Sequence, residues 1–252
     1  MSDRDQVASI SIDSRDKSSG TTTNFSIDLD SNGVATLNKV KRIEFTHIEI
    51  PYTFYSVTSS NNEVNFLNTA DEAKTATIPA GNYTGATLAT ALQTAMNAEM
   101  SGFTIAYDAN TQKLAATNAA QFTMSGTGDG AAIVGFTAAI AKGTSATATN
   151  PVQVQGPQYL MLKSVALSRM RGRTRKYFNG TGFDDTVYRI PVNVAAGSVI
   201  HSYNRGDKYI LTPKALQLPS SLDFELEDDR GNTLDLNNQH WSLEMLITCG
   251  TD

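Results

Sequence analysis

Apolar residues recur at every second position along most of this chain, and at every third or fourth position in a single stretch, residues 78–100. There Leu88, Leu92 and Met96 fall four apart, and Ala91, Ala95 and Met100 widen the same face, so the spacing predicts an amphipathic helix. Thr84 is placed to cap its start, Pro79 and Gly81 mark the turn leading in, and Gly102 is the expected stop. Burying three such side chains is worth roughly 1.5–3 kcal/mol each, so the helix must lie on something apolar, and strands are the available partners.

Strands are predicted on both sides of it. Ala8, Ile10 and Ile12 alternate with polar residues; after a polar connection over 14–23, Phe25, Ile27 and Leu29 do the same and close on the turn residues Asp30-Ser-Asn-Gly33. Over 40–50 the inward set begins as Ile43 and Phe45 and continues as Ile48 and Ile50, a slip of one residue that predicts a β-bulge near His47. Pro51 ends or bends this strand, and 52–57 continues as an aromatic-rich extended piece. Glu63–Leu67 is a short strand. Beyond the helix, Phe103, Ile105 and Tyr107 alternate, Asp108-Ala-Asn-Thr111 turns, Leu114 lies on the return, and Phe122 with Met124 suggests a third short strand. A helical turn is expected over 131–136 and a linker over 142–150, which is rich in Ala, Thr and Ser.

The C-terminal third has the clearest alternation. Residues 159–167 begin Tyr-Leu-Met-Leu, apolar on both faces, as in a central strand. Tyr188, Ile190, Val192 and Val194 point one way, and Pro191, on the other phase, favours an edge strand or a bulge. Leu222, Phe224 and Leu226 lead into the turn 228–232, Leu234 and Leu236 answer them, and Trp241, Leu243, Met245 and Ile247 finish the pattern. Short strands separated by turn clusters, with no βαβ rhythm, predict a mainly β protein: an antiparallel β-sandwich with an inserted α+β unit of one helix and a short β-meander. The expected division is 1–77 and 151–252 for the two parts of the sandwich and 78–150 for the insertion.

Composition narrows the function. At 252 residues with 40% apolar content the chain can build a substantial core, and a net charge of −5 argues against a dedicated nucleic-acid binder. The single cysteine, Cys249, excludes an intrachain disulfide framework and has no neighbour that would activate its thiol. No signal-peptide core and no membrane-length apolar run is present, so neither secretion by that route nor membrane insertion is expected.

Candidate chemistry is sparse. His47, His201 and His240 are scattered with no metal-site spacing, and His47 is expected to be structural. The acidic group Glu225, Glu227, Asp228, Asp229 and Asp235 is expected to be a solvated hairpin, since its members alternate outward or lie in a turn. Gly126-Thr-Gly-Asp-Gly130 lacks the Lys-Ser/Thr of a phosphate loop and reads as a flexible loop. No catalytic residue, cofactor or metal is assigned, and an enzyme is not expected. One charge run remains: Arg169, Arg171, Arg173, Arg175 and Lys176, where guanidinium forks suit a polyanion or an acidic neighbouring subunit.

Several stretches together resemble a known group. Ser11-Ile-Asp-Ser-Arg-Asp16 with Asn24-Phe-Ser-Ile-Asp-Leu29, Ile48-Glu-Ile-Pro-Tyr-Thr-Phe-Tyr55, Ile78-Pro-Ala-Gly-Asn-Tyr-Thr84, and Gly231-Asn-Thr-Leu-Asp-Leu236 with Trp241-Ser-Leu243 are similar to the penton or minor capsid proteins of double-jelly-roll DNA viruses, which include giant viruses and virophages. The resemblance implies a single jelly roll, assembled as a pentamer at the icosahedral vertices of a virion among trimers of a different major capsid protein. It also implies assembly in the host-cell interior and contacts with a spike or an internal virion protein, while contact of the basic run with nucleic acid stays open. Residues 123–150 carry no motif of that group. Two other readings fit the same pattern: a head-fibre, tail or decoration protein, which would be trimeric or bind a pre-formed shell, and a carbohydrate-binding sandwich using Tyr52, Phe54, Tyr55, Tyr177 and Phe178.

Overall fold

The computed structural model describes residues 5–31, 33, 36–170, 185–203 and 209–250. The chain forms two compact units, Met1–Phe54 with Pro157–Asp252, and Tyr55–Gly156.

The first unit is a pair of antiparallel sheets. One is ordered β1 (Gln6–Asp13), β15 (Ser242–Cys249), β4 (Val40–Pro51), β12 (Val199–Tyr203), with β13 (Tyr209–Leu216) also on β4. The other is ordered β11 (Thr186–Pro191), β10 (Tyr159–Lys163), β14 (Ser221–Glu227), β3 (Asn24–Asp28), β2 (Ser19–Gly20). The chain runs β1 in the first sheet, β2 and β3 in the second, β4 in the first, β10 and β11 in the second, β12 and β13 in the first, β14 in the second and β15 in the first. With the orders β1-β15-β4-β12 and β3-β14-β10-β11, this is the connectivity of a jelly roll. The second unit departs from it between β4 and β10.

Alternation explains why the sheets close on each other. Ile10, Ile12, Ile43, Phe45, Ile48, Ile50, Leu243, Met245 and Ile247 from one sheet share a single buried cluster with Phe25, Ile27, Leu160, Leu162, Ile190, Leu222, Phe224 and Leu226 from the other. Phe45 of the first sheet meets Tyr188 of the second with ring centroids 5.7 Å apart. The expected bulge is present. Glu244 pairs with His47 but Met245 pairs with Phe45, which leaves Thr46 as the extra residue. Thr46 Oγ1 donates to the Glu244 carbonyl at 3.2 Å, tying the bulge to its partner strand. Pro191 ends β11, an edge strand, where a missing N–H is tolerated.

The apolar run at 159–167 is not one strand. β10 stops at Lys163, and α3 (Val165–Met170) follows, because Ser164 Oγ accepts from Leu167 N and both oxygens of Asp223 accept from Val165 N and Ala166 N at the helix start. Leu234 and Leu236 are buried in the core without forming a strand; their segment meets β14 at an isolated bridge between Glu227 and Thr233, where Leu234 N donates to the Leu226 carbonyl.

The second unit contains β5 (Glu63–Leu67), β6 (Ala73–Thr77), α1 (Gly85–Glu99), β7 (Thr104–Asp108), β8 (Lys113–Met124), α2 (Ala131–Val134) and β9 (Ile140–Thr147). Its sheet is ordered β6-β5-β8-β7 with β9 also on β8. Leu88, Leu92 and Met96 of α1 enter a cluster with Val64, Phe66, Ala76, Phe103, Ile105, Leu114 and Phe122, so the apolar stripe faces the sheet as its spacing predicts. Gln93 Oε1 accepts from Ile105 N, and Asn97 both accepts from Phe103 N and donates to its carbonyl, so the helix's polar side chains occupy backbone groups at the edge strand β7.

Three expectations for this region change. The unit spans 55–156 and not 78–150, because β5 and β6 pair in its sheet and bury Val64, Phe66 and Ala76 in its core. Phe122 and Met124 end the twelve-residue β8 and do not form a separate strand. Most of the expected linker 142–150 is β9, hydrogen-bonded to β8.

The helix start is a capping box: Thr84 Oγ1 accepts from Thr87 N at 3.2 Å, and Thr87 Oγ1 accepts from Thr84 N at 2.8 Å. Thr84→Ala removes one acceptor for an exposed helix-start N–H and is expected to cost about 1 kcal/mol in urea unfolding of the full chain. Thr84→Ser is expected to restore most of that loss.

Candidate functional site

The outward face of the first sheet carries the one grouping of potential metal-binding side chains among the described residues. The Thr46 bulge creates it. Ahead of the bulge Arg42 and Glu44 are the outward residues of β4 and form an ion pair at 2.7 Å; behind it the outward residues become His47 and Glu49, while Ile48 and Ile50 turn in. On the neighbouring β12, His201 lies directly opposite Glu49 and Tyr203 opposite His47.

The side chains converge. His47 Nε2 lies 3.2 Å and His201 Nδ1 3.3 Å from the same oxygen, Glu49 Oε1. His47 Nε2 is closed off from solvent yet has no hydrogen-bond partner, because it approaches the carboxylate off the bonding direction. The Tyr203 ring stacks on His47 with centroids 4.7 Å apart and planes 20° from parallel, and lies 8° from the plane of His201. Tyr203 itself is 63% exposed, so the group opens to solvent on that side. Across β4, Glu244 of β15 is the residue opposite His47, and its Oε1 accepts from Ser9 Oγ at 2.8 Å.

Chain spacing gave no sign of this group, since strand pairing rather than sequence proximity joins His47 to His201. His240 is elsewhere, with Nδ1 3.1 Å from Ser14 Oγ. The acidic group does not converge. Asp228 accepts from Arg230 N and Asn232 N within its own turn, Asp229 accepts from Gln158 N, Asp235 accepts from Asn237 N, and Glu225 accepts from Asn24 and Thr233 side chains. Glu227 differs from the solvated picture: it is buried and pairs with Lys163 at 2.7 Å. The Gly126–Gly130 loop contacts β5, with Gly130 N donating to the Glu63 carbonyl and Asp129 accepting from Glu63 N. At Gly128, φ is +100° and a Cβ would lie 2.3 Å from that same carbonyl.

Of the basic run, Arg169 is exposed at the end of α3, and Arg171, Arg173, Arg175 and Lys176 lie outside the described residues. Tyr177 and Phe178 lie outside them too. Tyr52 and Phe54 are buried and stack on each other at 4.2 Å, so they cannot serve as the exposed platform a glycan requires; Tyr55 is exposed. Burial pushes the Tyr52 hydroxyl and the Cys249 thiol above their ordinary pKa values, in keeping with an unreactive cysteine. No described helix is long and apolar enough to cross a membrane.

No protein-family model and no curated protein matches this sequence. Among solved structures, the chain is similar to the crystal structure of the selenomethionine-labelled mavirus penton protein, with 10% identity over 98% of this chain and 100% of that one, and a TM-score of 0.48.

Proposed function

We propose that this chain is a structural protein of a virus particle, and that it serves as the pentameric vertex subunit of an icosahedral capsid. The observation that carries the reading is where the capsid-like stretches of sequence meet. The stretches 11–16 and 48–55 are far from the closing stretches 231–236 and 241–243 along the chain, yet in the jelly roll each is tied to them by hydrogen bonds, as are Thr22 and Thr23, just ahead of the stretch 24–29. Ser14 N donates to the Trp241 carbonyl, and Trp241 N donates to Ser14 Oγ. Trp241 Nε1 donates to the Thr22 carbonyl at 2.7 Å, Thr23 Oγ1 to the Leu234 carbonyl at 2.7 Å, and Thr53 Oγ1 to the Leu236 carbonyl at 2.6 Å. Within the first stretch Asp13 accepts from Arg15 N and from its guanidinium, and that contact holds the Asp13 carboxyl below the usual range. Residues of the capsid-like stretches thus help to lock one corner of the sandwich.

A rigid sandwich suits a building block. Both sheets have edges for lateral neighbours, β1 and β11 among them, and Val7 on β1 and Val199 on β12 present exposed apolar side chains. In this reading the sandwich packs against its own copies and against a major capsid protein, the unit 55–156 is available to a spike or an internal protein, and the basic segment 169–176 contacts an acidic neighbour or the genome. The chain would reside in the virion after assembly inside the host cell.

Native mass spectrometry and negative-stain microscopy of the purified full chain test this. Fivefold rings are the expected result. Trimers would favour a head-fibre or decoration protein, and a monomer under every ionic strength, concentration and pH tried would overturn the vertex assignment.

A further inference from the structure

We infer that His47, Glu49 and His201 form a binding site for a divalent transition-metal ion, with zinc the best match. Three lines of geometry and chemistry support it. Two ligands of a tetrahedral zinc with bonds of about 2.0–2.1 Å stand roughly 3.3 Å apart, and the two nitrogen-to-oxygen separations here are 3.2 and 3.3 Å. All three potential ligand atoms fall within 4.8 Å of one another, so a single ion can reach them with small side-chain adjustments.

The donor set selects the metal. Two imidazoles and one carboxylate suit zinc and its first-row neighbours, whereas calcium and magnesium prefer oxygen throughout. Three protein ligands leave a fourth position for water, and the group opens to solvent beside Tyr203. His47 Nε2, shut away from water and lacking a hydrogen-bond partner, is better explained as a ligand nitrogen than as an idle one.

The mounting is rigid. His47 and Glu49 sit two apart on a central strand, His201 is held opposite Glu49 by the β4–β12 ladder, and the Tyr203 ring limits rotation of the His47 ring. Preorganisation of this kind favours binding because little side-chain freedom remains to be lost. The inference does not rest on the capsid reading: it holds or fails for the isolated chain, whatever that chain assembles into.

The test is calorimetric titration of the full chain, stripped with a chelator and dialysed, with zinc chloride alone, alongside thermal melts with and without zinc. One zinc ion is expected per chain, with a rise in the melting temperature of the zinc-loaded protein. His201→Ala and Glu49→Gln are each expected to weaken binding at least about tenfold and to abolish the zinc-dependent rise. Both side chains face outward, so the zinc-free melting temperature should stay near the original. His201→Asn at the exposed ligand provides a second variant should either fail to fold. Cobalt(II) substituted for zinc is expected to give the intense visible bands of a four-coordinate site in the original protein and not in the variants. Absence of saturable zinc uptake, or uptake equal in His201→Ala, His201→Asn and the original, would overturn the assignment.

Discussion

Deleting Thr46 is expected to abolish cooperative folding of the sandwich unit. β4 is its central strand, with β15 on one side and β12 and β13 on the other, and its inward residues change phase at Thr46. Removing that residue while keeping the first half in register sends Ile48 and Ile50, both essentially inaccessible, to the solvent face and turns His47 and Glu49 into the core. Losing two isoleucines from the core costs roughly 3–6 kcal/mol, and burying an unpaired carboxylate costs several more, against a total stability of about 5–15 kcal/mol for a domain. Shifting the second half instead breaks its register with β12. Thr46→Ala keeps the extra residue and loses only the Oγ1 bond to the Glu244 carbonyl, so it is expected to cost about 1 kcal/mol. Near-ultraviolet circular dichroism and urea unfolding of the two variants distinguish a phase requirement from a side-chain requirement. A deletion variant with an unaltered near-ultraviolet spectrum and a normal unfolding transition would show that the bulge is dispensable.

That bulge was legible in the sequence because large apolar side chains flank it: Ile43 and Phe45 on one phase, Ile48 and Ile50 on the other. The helix α1 was legible for the same reason, with Thr84 at its start. Where side chains are small, the signal fades. β6 reads Ala-Lys-Thr-Ala-Thr and buries Ala76 alone, and β9 reads Ile-Ala-Lys-Gly-Thr-Ser-Ala-Thr and buries Ala146 alone. Ladder hydrogen bonds to β5 and β8 make these segments strands, and such bonds leave no trace in hydrophobic period. β12 was silent because Ser202 holds an inward position where it faces the Tyr188 hydroxyl at 3.3 Å.

Non-local partners hide the rest. A buried apolar run does not say whether it is strand or helix, and what stops β10 and starts α3 is a carboxylate from β14, Asp223, far along the chain. The His47–Glu49–His201 group has the same origin. Its i, i+2 half, His47 and Glu49, lies on one strand, where such a pair is commonplace, and the third member arrives through the register of β12 on β4. Sequence spacing finds metal ligands readily within a helix or a tight turn; across a sheet it needs the pairing first.

Trp241→Ala is expected to lower the stability of the sandwich unit by about 3–5 kcal/mol, the range for removing a large aromatic from a packed core. Trp241 is buried at the entry to β15, with the ring of Phe25 at 5.8 Å and that of Phe224 at 6.5 Å, the latter edge-on at 87°. The truncation leaves a cavity between the sheets and strips both phenylalanines of a neighbour. It also leaves the Thr22 carbonyl without the indole donor. Trp241→Phe restores most of the volume but not the N–H, so it is expected to cost less, with about 1 kcal/mol of its loss due to the missing hydrogen bond. The cluster of residues 55–156 contains no residue of the sandwich cluster. Calorimetry of the full chain should therefore resolve two transitions, with the alanine variant depressing one by roughly 6–20 °C and leaving the other in place. A uniform fall of both would show that the two cores unfold as one cooperative system, and an unchanged scan would show that the Trp241 corner contributes little to holding the jelly roll together.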